Sequence, residues 1–313
     1  QGGTPRDAFR HSLDLAQHAE RWGFTRFWLA EHHSIPSVAS AATSVVIAHV
    51  AGGTSKIRVG AGGIMLPNHA PLLIAEQFGT LESLYPGRVD LALGRAPGSD
   101  QATANALRRS PAAGDAFPQD VAELMAFFRE AEPGQVVQAI PGAGLRIPIW
   151  ILGSSLFGAQ LAAYMGLPFA FASHFAPAYL MQAIEVYRAR FQPSEQLDRP
   201  YLMLGAQIVA ADTDDEARYL FTSHQQSFVN LRRGRPMPVP PPIRDYQIDL
   251  SPIERAQLDP ILSSAIVGSP ATVRERTLDF IDETGADELI ISSQIYDHAA
   301  RLRSYEIVAD LID

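Results

Sequence analysis

The sequence contains no cysteine among its 313 residues. Disulfide bonds, thiolate metal sites and cysteine nucleophiles are therefore excluded, and the lack of disulfides fits a cytoplasmic location. Basic residues are fewer than acidic ones. The chain has 25 lysines and arginines and 34 aspartates and glutamates, which give a formal charge of -9. A nucleic-acid surface needs a basic face for the phosphates. We therefore expect a small-molecule substrate and no nucleic-acid partner.

The chain also lacks an uninterrupted apolar run of membrane-spanning length. Residues 147–173 carry no formal charge, and a transmembrane helix needs about 20 such residues in sequence. A Gly-Ser-Ser turn at residues 153–155 and a Gly-Leu-Pro turn at residues 166–168 interrupt this stretch. The pattern predicts a buried strand, helix and strand, and no membrane partner.

Apolar runs rich in β-forming residues alternate with helical stretches along the chain. The seven predicted strands are residues 24–30, 57–66, 89–96, 149–152, 169–172, 201–210 and 288–295. Strands that are apolar on both faces and separated by helices predict a parallel sheet in an α/β fold. The length favours a single (β/α)₈ TIM-barrel domain over residues 1–313, with a doubly wound open sheet as the alternative. The sequence opens in a helix, so we expect the first barrel strand to lie upstream of the given chain.

Two insertions interrupt the alternation, at residues 105–118 and 232–252. The second contains five prolines between residues 236 and 242. Proline runs favour the extended polyproline II conformation and do not pack into a core. We expect a surface loop here, with a lid over the active site as the alternative.

The first predicted strand ends in three titratable residues, Glu31, His32 and His33. Neighbouring residues of an extended chain point to opposite faces, so the two histidines are not expected to bind one metal ion. One imidazole facing the mouth of a barrel suits acid/base chemistry near neutral pH. The alternative is that both histidines are hydrogen-bonded structural residues.

The next predicted strand contains three glycines, Gly60, Gly62 and Gly63, where strand formers are expected. Glycine weakens a strand, so this cluster indicates that a planar ring lies against the backbone or that a bulge is needed. Close packing against a neighbouring element is the alternative.

Two further strand ends carry groups that suit an anion. Arg95 directly follows an apolar strand, and its guanidinium fits an anion or a polar ring edge unless it pairs with Asp100. Ser154 and Ser155 begin a helix after another strand, where free backbone N–H groups and hydroxyls form a phosphate cradle. A serine that only caps the helix is the alternative.

No metal site is expected from the sequence. His69, His174 and His298 lie near strand ends, but no carboxylate and histidine spacing typical of a metal site connects them. The chain also lacks the GxSxG motif of serine hydrolases.

Together these segments resemble the bacterial luciferase-like monooxygenase family, whose members are flavin-dependent (β/α)₈ barrels. The resemblance is carried by "GFTRFWLAEHH", "IRVGAGGIMLPNHAPLLIAEQFGTLESLYPGRVDLALGRAPGSD", "PIWILGSS" and "SSQIYDHAARLRSYE". It implies that His32 is the active-site histidine and that Gly62 and Gly63 form a cis peptide beside the flavin. It further implies that Arg95 contacts the flavin and that Ser155, with the backbone around Ser154, binds its phosphate.

The same resemblance implies an FMN-dependent monooxygenase in which reduced FMN and O₂ oxygenate a small organic substrate through a flavin peroxide. NAD(P)H would supply electrons directly or through a partner flavin reductase, and a homodimer is expected. Two positions depart from luciferase, since Gly94 replaces a cysteine beside the flavin and Gln119 stands near a phosphate-contacting arginine. A deazaflavin-dependent hydride-transfer enzyme and a non-catalytic flavin-binding protein remain alternatives, while a metal-dependent hydrolase is disfavoured.

Overall fold

A computed structural model describes residues 3–96, 101–109 and 111–311, with only the backbone at residues 111, 112, 248 and 249. The strands β1 to β8 are Arg26–Leu29, Arg58–Met65, Val89–Gly94, Ile149–Gly153, Phe169–Phe171, Leu202–Ala210, Ile266–Gly268 and Glu288–Ser292. The helices α1 to α11 are Pro5–Arg21, Thr43–Gly52, Pro71–Leu84, Gln101–Ala106, Phe117–Phe127, Leu156–Met165, Leu180–Arg190, Asp214–Arg232, Pro252–Ser264, Pro270–Thr284 and His298–Ala309.

All strand pairs of the described chain are parallel, and β1 to β6 lie side by side in the order of the sequence. A doubly wound sheet would reverse its strand order, so the open-sheet alternative is wrong and the barrel prediction is confirmed. The long strand β6 has two further neighbours: Met203–Gln207 pair with β8, whereas residues 208–210 pair with β7.

The seven predicted strands all occur, and the structure adds one that the sequence analysis missed. This strand, β7, contains only three residues and ends at Gly268. Such a short apolar run between two helices carries no clear alternation, and it pairs only with the end of β6 that extends past β8.

The local signals read from the sequence are present in the structure. Helix α1 begins with a capping box in which Thr4 and Asp7 satisfy each other's backbone N–H groups. The uncharged stretch at residues 147–173 folds into β4, α6 and β5, with both strands mainly buried. No helix in the described part of the chain combines the length and apolarity that a bilayer crossing requires.

Both predicted insertions leave the βα alternation. Residues 105–118 include a short 3₁₀ helix, Pro111–Ala116, and then enter α5. The proline-rich segment lies mostly exposed between α8 and α9. It is held against α8 by Gln226, whose Nε2 donates to the Pro241 carbonyl at 2.9 Å.

Charged side chains form a floor between the strands. Asp90 on β3 is fully buried and accepts hydrogen bonds from Arg26 on β1 and Arg58 on β2, each at 2.7 Å. Arg26 also donates to Glu288 on β8 at 2.7 Å. These side chains therefore link β1 to β8, which share no backbone ladder in the described chain.

A tryptophan-rich layer lies against this floor inside the sheet. Trp28 donates from Nε1 to Asp90 at 3.1 Å, and its ring meets the Trp150 ring edge to face at 5.3 Å. Ala92, Ala170 and Met203 pack in the same cluster. These side chains fill the centre of the barrel on its amino-terminal side.

We predict that Asp90→Asn lowers the free energy of unfolding by about 3 kcal/mol, because two guanidinium groups lose a buried counter-charge. Urea denaturation measures this change. The matched control is Asp215→Asn, since Asp215 is 89% exposed in its pair with Arg218 and exposed pairs contribute little. Equal losses in the two variants would contradict a structural role for the floor.

Candidate functional site

A cavity of about 1110 Å³ opens at the carboxyl ends of the strands. It has two parts. The mouth of the barrel is lined by five of the six predicted site residues, namely His32, Gly62, Arg95, Ser154 and Ser155. The second part is a slot between β1 and β8, lined by side chains such as Phe27, Leu289 and Tyr305, so the total volume exceeds that of the mouth.

The two adjacent histidines point in different directions, as the sequence predicts. His32 lines the cavity and is half-buried. His33 does not line it, and its Nε2 lies 2.8 Å from Oε1 of Glu31. His33 is therefore a hydrogen-bonded structural residue, and His32 is the histidine of the pair that borders the cavity.

The Glu31 carboxylate connects the end of β1 to the end of β2 through hydrogen bonds. Its carboxylate is 1% exposed and accepts from Nε2 of His33 and of His69, each at 2.8 Å, and from the Met65 N–H at 3.0 Å. Burial raises the pKa of Glu31, but the hydrogen bonds from His69 and His33 outweigh it and the net pKa is lowered. The carboxylate therefore stays ionised, and both Nε2 atoms donate.

The sequence analysis did not connect His69 with Glu31 and His33. Their ligand atoms lie within 4.8 Å of one another, a separation at which they could hold a metal ion. Hydrogen bonds already account for this arrangement, because both imidazoles donate to the same carboxylate oxygen. His69 follows β2 by only a few residues, so parallel pairing of the first two strands was the signal that could have joined them.

The three glycines of β2 have different surroundings. A Cβ at Gly60 would overlap the Asp90 carbonyl, and one at Gly63 would lie 2.7 Å from the Ala92 carbonyl. Both positions thus require glycine because the backbone of β3 is close, and the ladder is irregular between Gly62 and Ile64. Only Gly62 of the three lines the cavity. The Gly62–Gly63 peptide is cis, as the resemblance implies.

Arg95 lies at the mouth just after β3. Its guanidinium carbon is 4.2 Å from the centre of the Phe157 ring, which orients the side chain along the cavity wall. Residues 97–100, including the alternative partner Asp100, lie outside the described residues.

Helix α6 begins without a side-chain cap, as α10 also does after Ser269. Ser155 occupies the N-cap position, but its side chain makes no capping hydrogen bond. In contrast, Thr4, Thr213, Ser251 and Asp297 each accept from a backbone N–H of their own helix. The first amides of α6 and the Ser155 hydroxyl therefore have free hydrogen-bonding capacity beside the cavity. The alternative that the Ser155 side chain only caps its helix therefore does not apply.

Two polar residues of the mouth were not among the predicted site residues. His174 follows β5 and Gln294 follows β8, and both line the cavity. Burial lowers the pKa of His174 to about 4, so its imidazole is neutral at physiological pH. The signal for His174 was present, since it follows an apolar strand within three residues.

We predict that Glu31→Gln lowers the free energy of unfolding by about 1–3 kcal/mol at neutral pH, because an amide N–H₂ would oppose donating groups. The lowered pKa of Glu31 means that its contribution is complete above the unfolded value of 4.5 and is lost as the pH falls through the folded value. The difference between wild type and variant should therefore shrink in acid. Urea titrations across this range measure it, with exposed Glu123→Gln as the control; a difference that grows in acid would contradict the assignment.

Comparison of this chain with known proteins identifies its family. The profile of the family described as luciferase-like monooxygenase matches residues 1–288. A protein of Escherichia coli (strain K12) called luciferase-like monooxygenase is 53% identical over 312 residues, which cover 99% of this chain and 93% of that protein.

Solved structures show the same likeness. The structure of apo-MsnO8 is 34% identical, with a TM-score of 0.88, covering 99% of this chain and 94% of that one. The oxygenating constituent of 3,6-diketocamphane monooxygenase from Pseudomonas putida, solved in complex with FMN, shares the fold at 20% identity and a TM-score of 0.73, covering 99% and 94%. This chain belongs to the luciferase-like monooxygenase family.

Proposed function

We propose that the protein is an FMN-dependent monooxygenase that uses reduced FMN and O₂ to oxygenate a small organic substrate. The observation that carries this proposal is the meeting of His32, Gly62, Arg95 and the uncapped start of α6 around one cavity. Each group is a weak signal alone, but together they supply an imidazole, a glycine wall, a cation and a phosphate cradle.

The residues present fit FMN. The amides at the start of α6, with Ser154 and the hydroxyl of Ser155, would hold the phosphate, since a helix N-terminus favours an anion. Arg95 would contact the flavin, and Gly62 would leave room for the ring beside β2. The P. putida neighbour, solved with FMN, gives the same cofactor class on a shared fold.

The chain's own side chains define what the site does with the cofactor. Reduced FMN would supply the two electrons that activate O₂, and His32 would hold or release a proton beside it. Apolar residues of the mouth, including Met65, Leu152 and Phe171, would exclude water. Gly94 also lines the mouth, so this wall offers no thiol.

The source of electrons and the assembly belong to the same proposal. NAD(P)H would reduce the flavin directly or through a partner reductase, and the protein would act as a cytoplasmic homodimer. No residue of the 232–252 segment with a described side chain lines the cavity, so the proposal gives the proline-rich loop no part in closing it.

We predict that His32→Ala slows the rate at which oxidised FMN reappears, after reduced FMN meets O₂, by about a hundredfold, because a positioned acid/base is lost. Stopped-flow absorbance measures that rate. His33→Ala is the matched control and should change it far less, since His33 bonds to Glu31 outside the cavity. Equal effects would exclude the role given to His32, and tight binding of a deazaflavin in place of FMN would favour hydride transfer.

We predict that Ser155→Asp weakens FMN binding about tenfold while riboflavin binding changes little, because the new carboxylate repels only the phosphate. The same substitution should raise thermal stability, since aspartate caps a helix well. Fluorescence titration and thermal melts measure both effects. Ala70→Asp adds a cap to α3 away from the cavity as the control; equal losses of FMN and riboflavin affinity would argue against a phosphate site here.

A further inference from the structure

Helix α11 begins with His298 and carries Arg301 one turn later, and the proposed function uses neither residue. Both belong to the segment "SSQIYDHAARLRSYE", which carries part of the family resemblance. In the structure the His298 side chain reaches Asp14 on α1. The segment therefore connects two helices that lie at opposite ends of the chain.

The His298 imidazole bridges a carboxylate and a guanidinium. Its Nε2 lies 2.7 Å from Oδ2 of Asp14, and its Nδ1 lies 3.0 Å from Nη2 of Arg301. A guanidinium can only donate hydrogen bonds, so Nδ1 must accept and the ring proton must be on Nε2, where it donates to Asp14. The bridge therefore requires His298 to be neutral.

Other contacts of the bridge bring further positive or protonatable groups close to His298. The His11 ring of α1 stacks on the His298 ring, with the ring centres 4.0 Å apart and an angle of 11° between the planes. Arg301 also donates to the His11 carbonyl at 3.4 Å, and its Nε is buried without a partner in the described part of the chain. The guanidinium is therefore held against both imidazoles.

The charged and titratable groups around the imidazole come from α1 and α11. Helix α1 contributes Asp14 and His11, and α11 contributes Arg301, with Tyr305 near the guanidinium. Strand β6 bonds to α11 further along, at Ser304, and α10 bonds beyond the end of α11. The carboxylate favours a protonated imidazole, whereas the guanidinium and the second imidazole oppose it.

Burial lowers the pKa of His298, and the hydrogen bond to Asp14 offsets this effect only in part, while Arg301 and His11 lower the pKa further. The folded value therefore lies below the ordinary value of 6.5. The contribution of the bridge to stability is complete above 6.5 and is lost as the pH falls through the folded value. A proton on Nδ1 would remove the acceptor of Arg301 and bring two cations into contact.

The bridge joins the two helices that cover the slot between β1 and β8. Leu15 and Ala19 of α1 line that slot together with Tyr305 and Ala309 of α11. No backbone ladder joins β1 to β8 in the described chain, so side-chain contacts hold this side of the barrel together. The charged floor does so at the start of the strands, and the bridge does so between the covering helices.

We propose that His298 is a proton-sensitive latch between α1 and α11. In its neutral form it connects Arg301 to Asp14 and keeps the two helices together over the slot. A second proton displaces the guanidinium from Nδ1, and α11 then separates from α1. The latch would loosen this side of the barrel in acid, independently of the cofactor that the mouth binds.

Hydrogen exchange followed by mass spectrometry tests the latch on the whole chain without a cofactor. Between about pH 7.5 and about pH 5.5, after correction for the intrinsic exchange rate, the protection factors of peptides from α1 and α11 should fall about tenfold or more. Peptides from α6 and α7, which pack on each other, are the internal reference and should keep their protection factors. An equal loss in all four helices, or no loss in α1 and α11, would overturn the proposal.

A variant that keeps the hydrogen bonds but does not titrate gives the sharper test. The amide of His298→Gln can donate to Asp14 and accept from Arg301 and does not change charge in this pH range, so its α1 and α11 peptides should stay protected in acid. His18→Gln is the matched control, because His18 lies 3.5 Å from the other carboxylate oxygen of Asp14, and it should keep the wild-type acid response. The opposite pattern, or an acid response that survives in His298→Gln, would exclude His298 as the latch.

Arg301→Met keeps the test decisive if His298→Gln fails to fold, which circular dichroism at neutral pH would reveal. Without the guanidinium, a protonated His298 meets no cation on α11 and pairs with the Asp14 carboxylate. Protection of α1 and α11 should then be unchanged or higher in acid. The same acid loss in Arg301→Met as in the wild type would show that another group is responsible and would overturn the proposal.

Discussion

A single buried carboxylate determines how the first two strands end. Glu31 accepts hydrogen bonds from His33, His69 and the Met65 backbone, and so joins the loop after β1 to the end of β2. His33 bonds to Glu31 away from the cavity, whereas His32, which lies between them in the sequence, lines it. His69 and the Met65 N–H also hold Glu31, so the strand end that carries His32 does not depend on His33 alone.

Much of this arrangement is readable from the sequence, because parallel strands bring their carboxyl ends to one edge. The strands carrying His32, Gly62, Arg95 and Ser155 are long or strongly apolar, and their order predicts that these groups meet. Gly63 shows the limit of such reasoning: its strand position suggests a ring-binding wall, but the Ala92 carbonyl of β3 lies on that side. The register of the sheet decides whether a ligand or an adjacent strand occupies the space beside a glycine. The local sequence does not encode that register.

The features that the sequence analysis missed also depend on contacts between residues far apart in the sequence. The three residues of β7 become a strand only because β6 extends past β8 and offers an unpaired edge. In the sequence, Asp90 is a lone acid within an apolar strand. Only the fold shows that Arg26 and Arg58, on two other strands, pair with it. Gln207 reads as an ordinary polar residue in a strand, and only its burial without a partner distinguishes it.

Trp28 spans the distance between the charged floor and the cavity. Its indole N–H bonds to Asp90, while its Cβ and Cε3 each lie 3.0 Å from where a side chain at Gly62 would begin. The Trp28 side chain therefore contacts Asp90 on one side and Gly62 on the other. A larger residue at Gly62 would displace the indole and with it the hydrogen bond to Asp90, so the shape of the mouth and the ion pairs of the floor depend on each other.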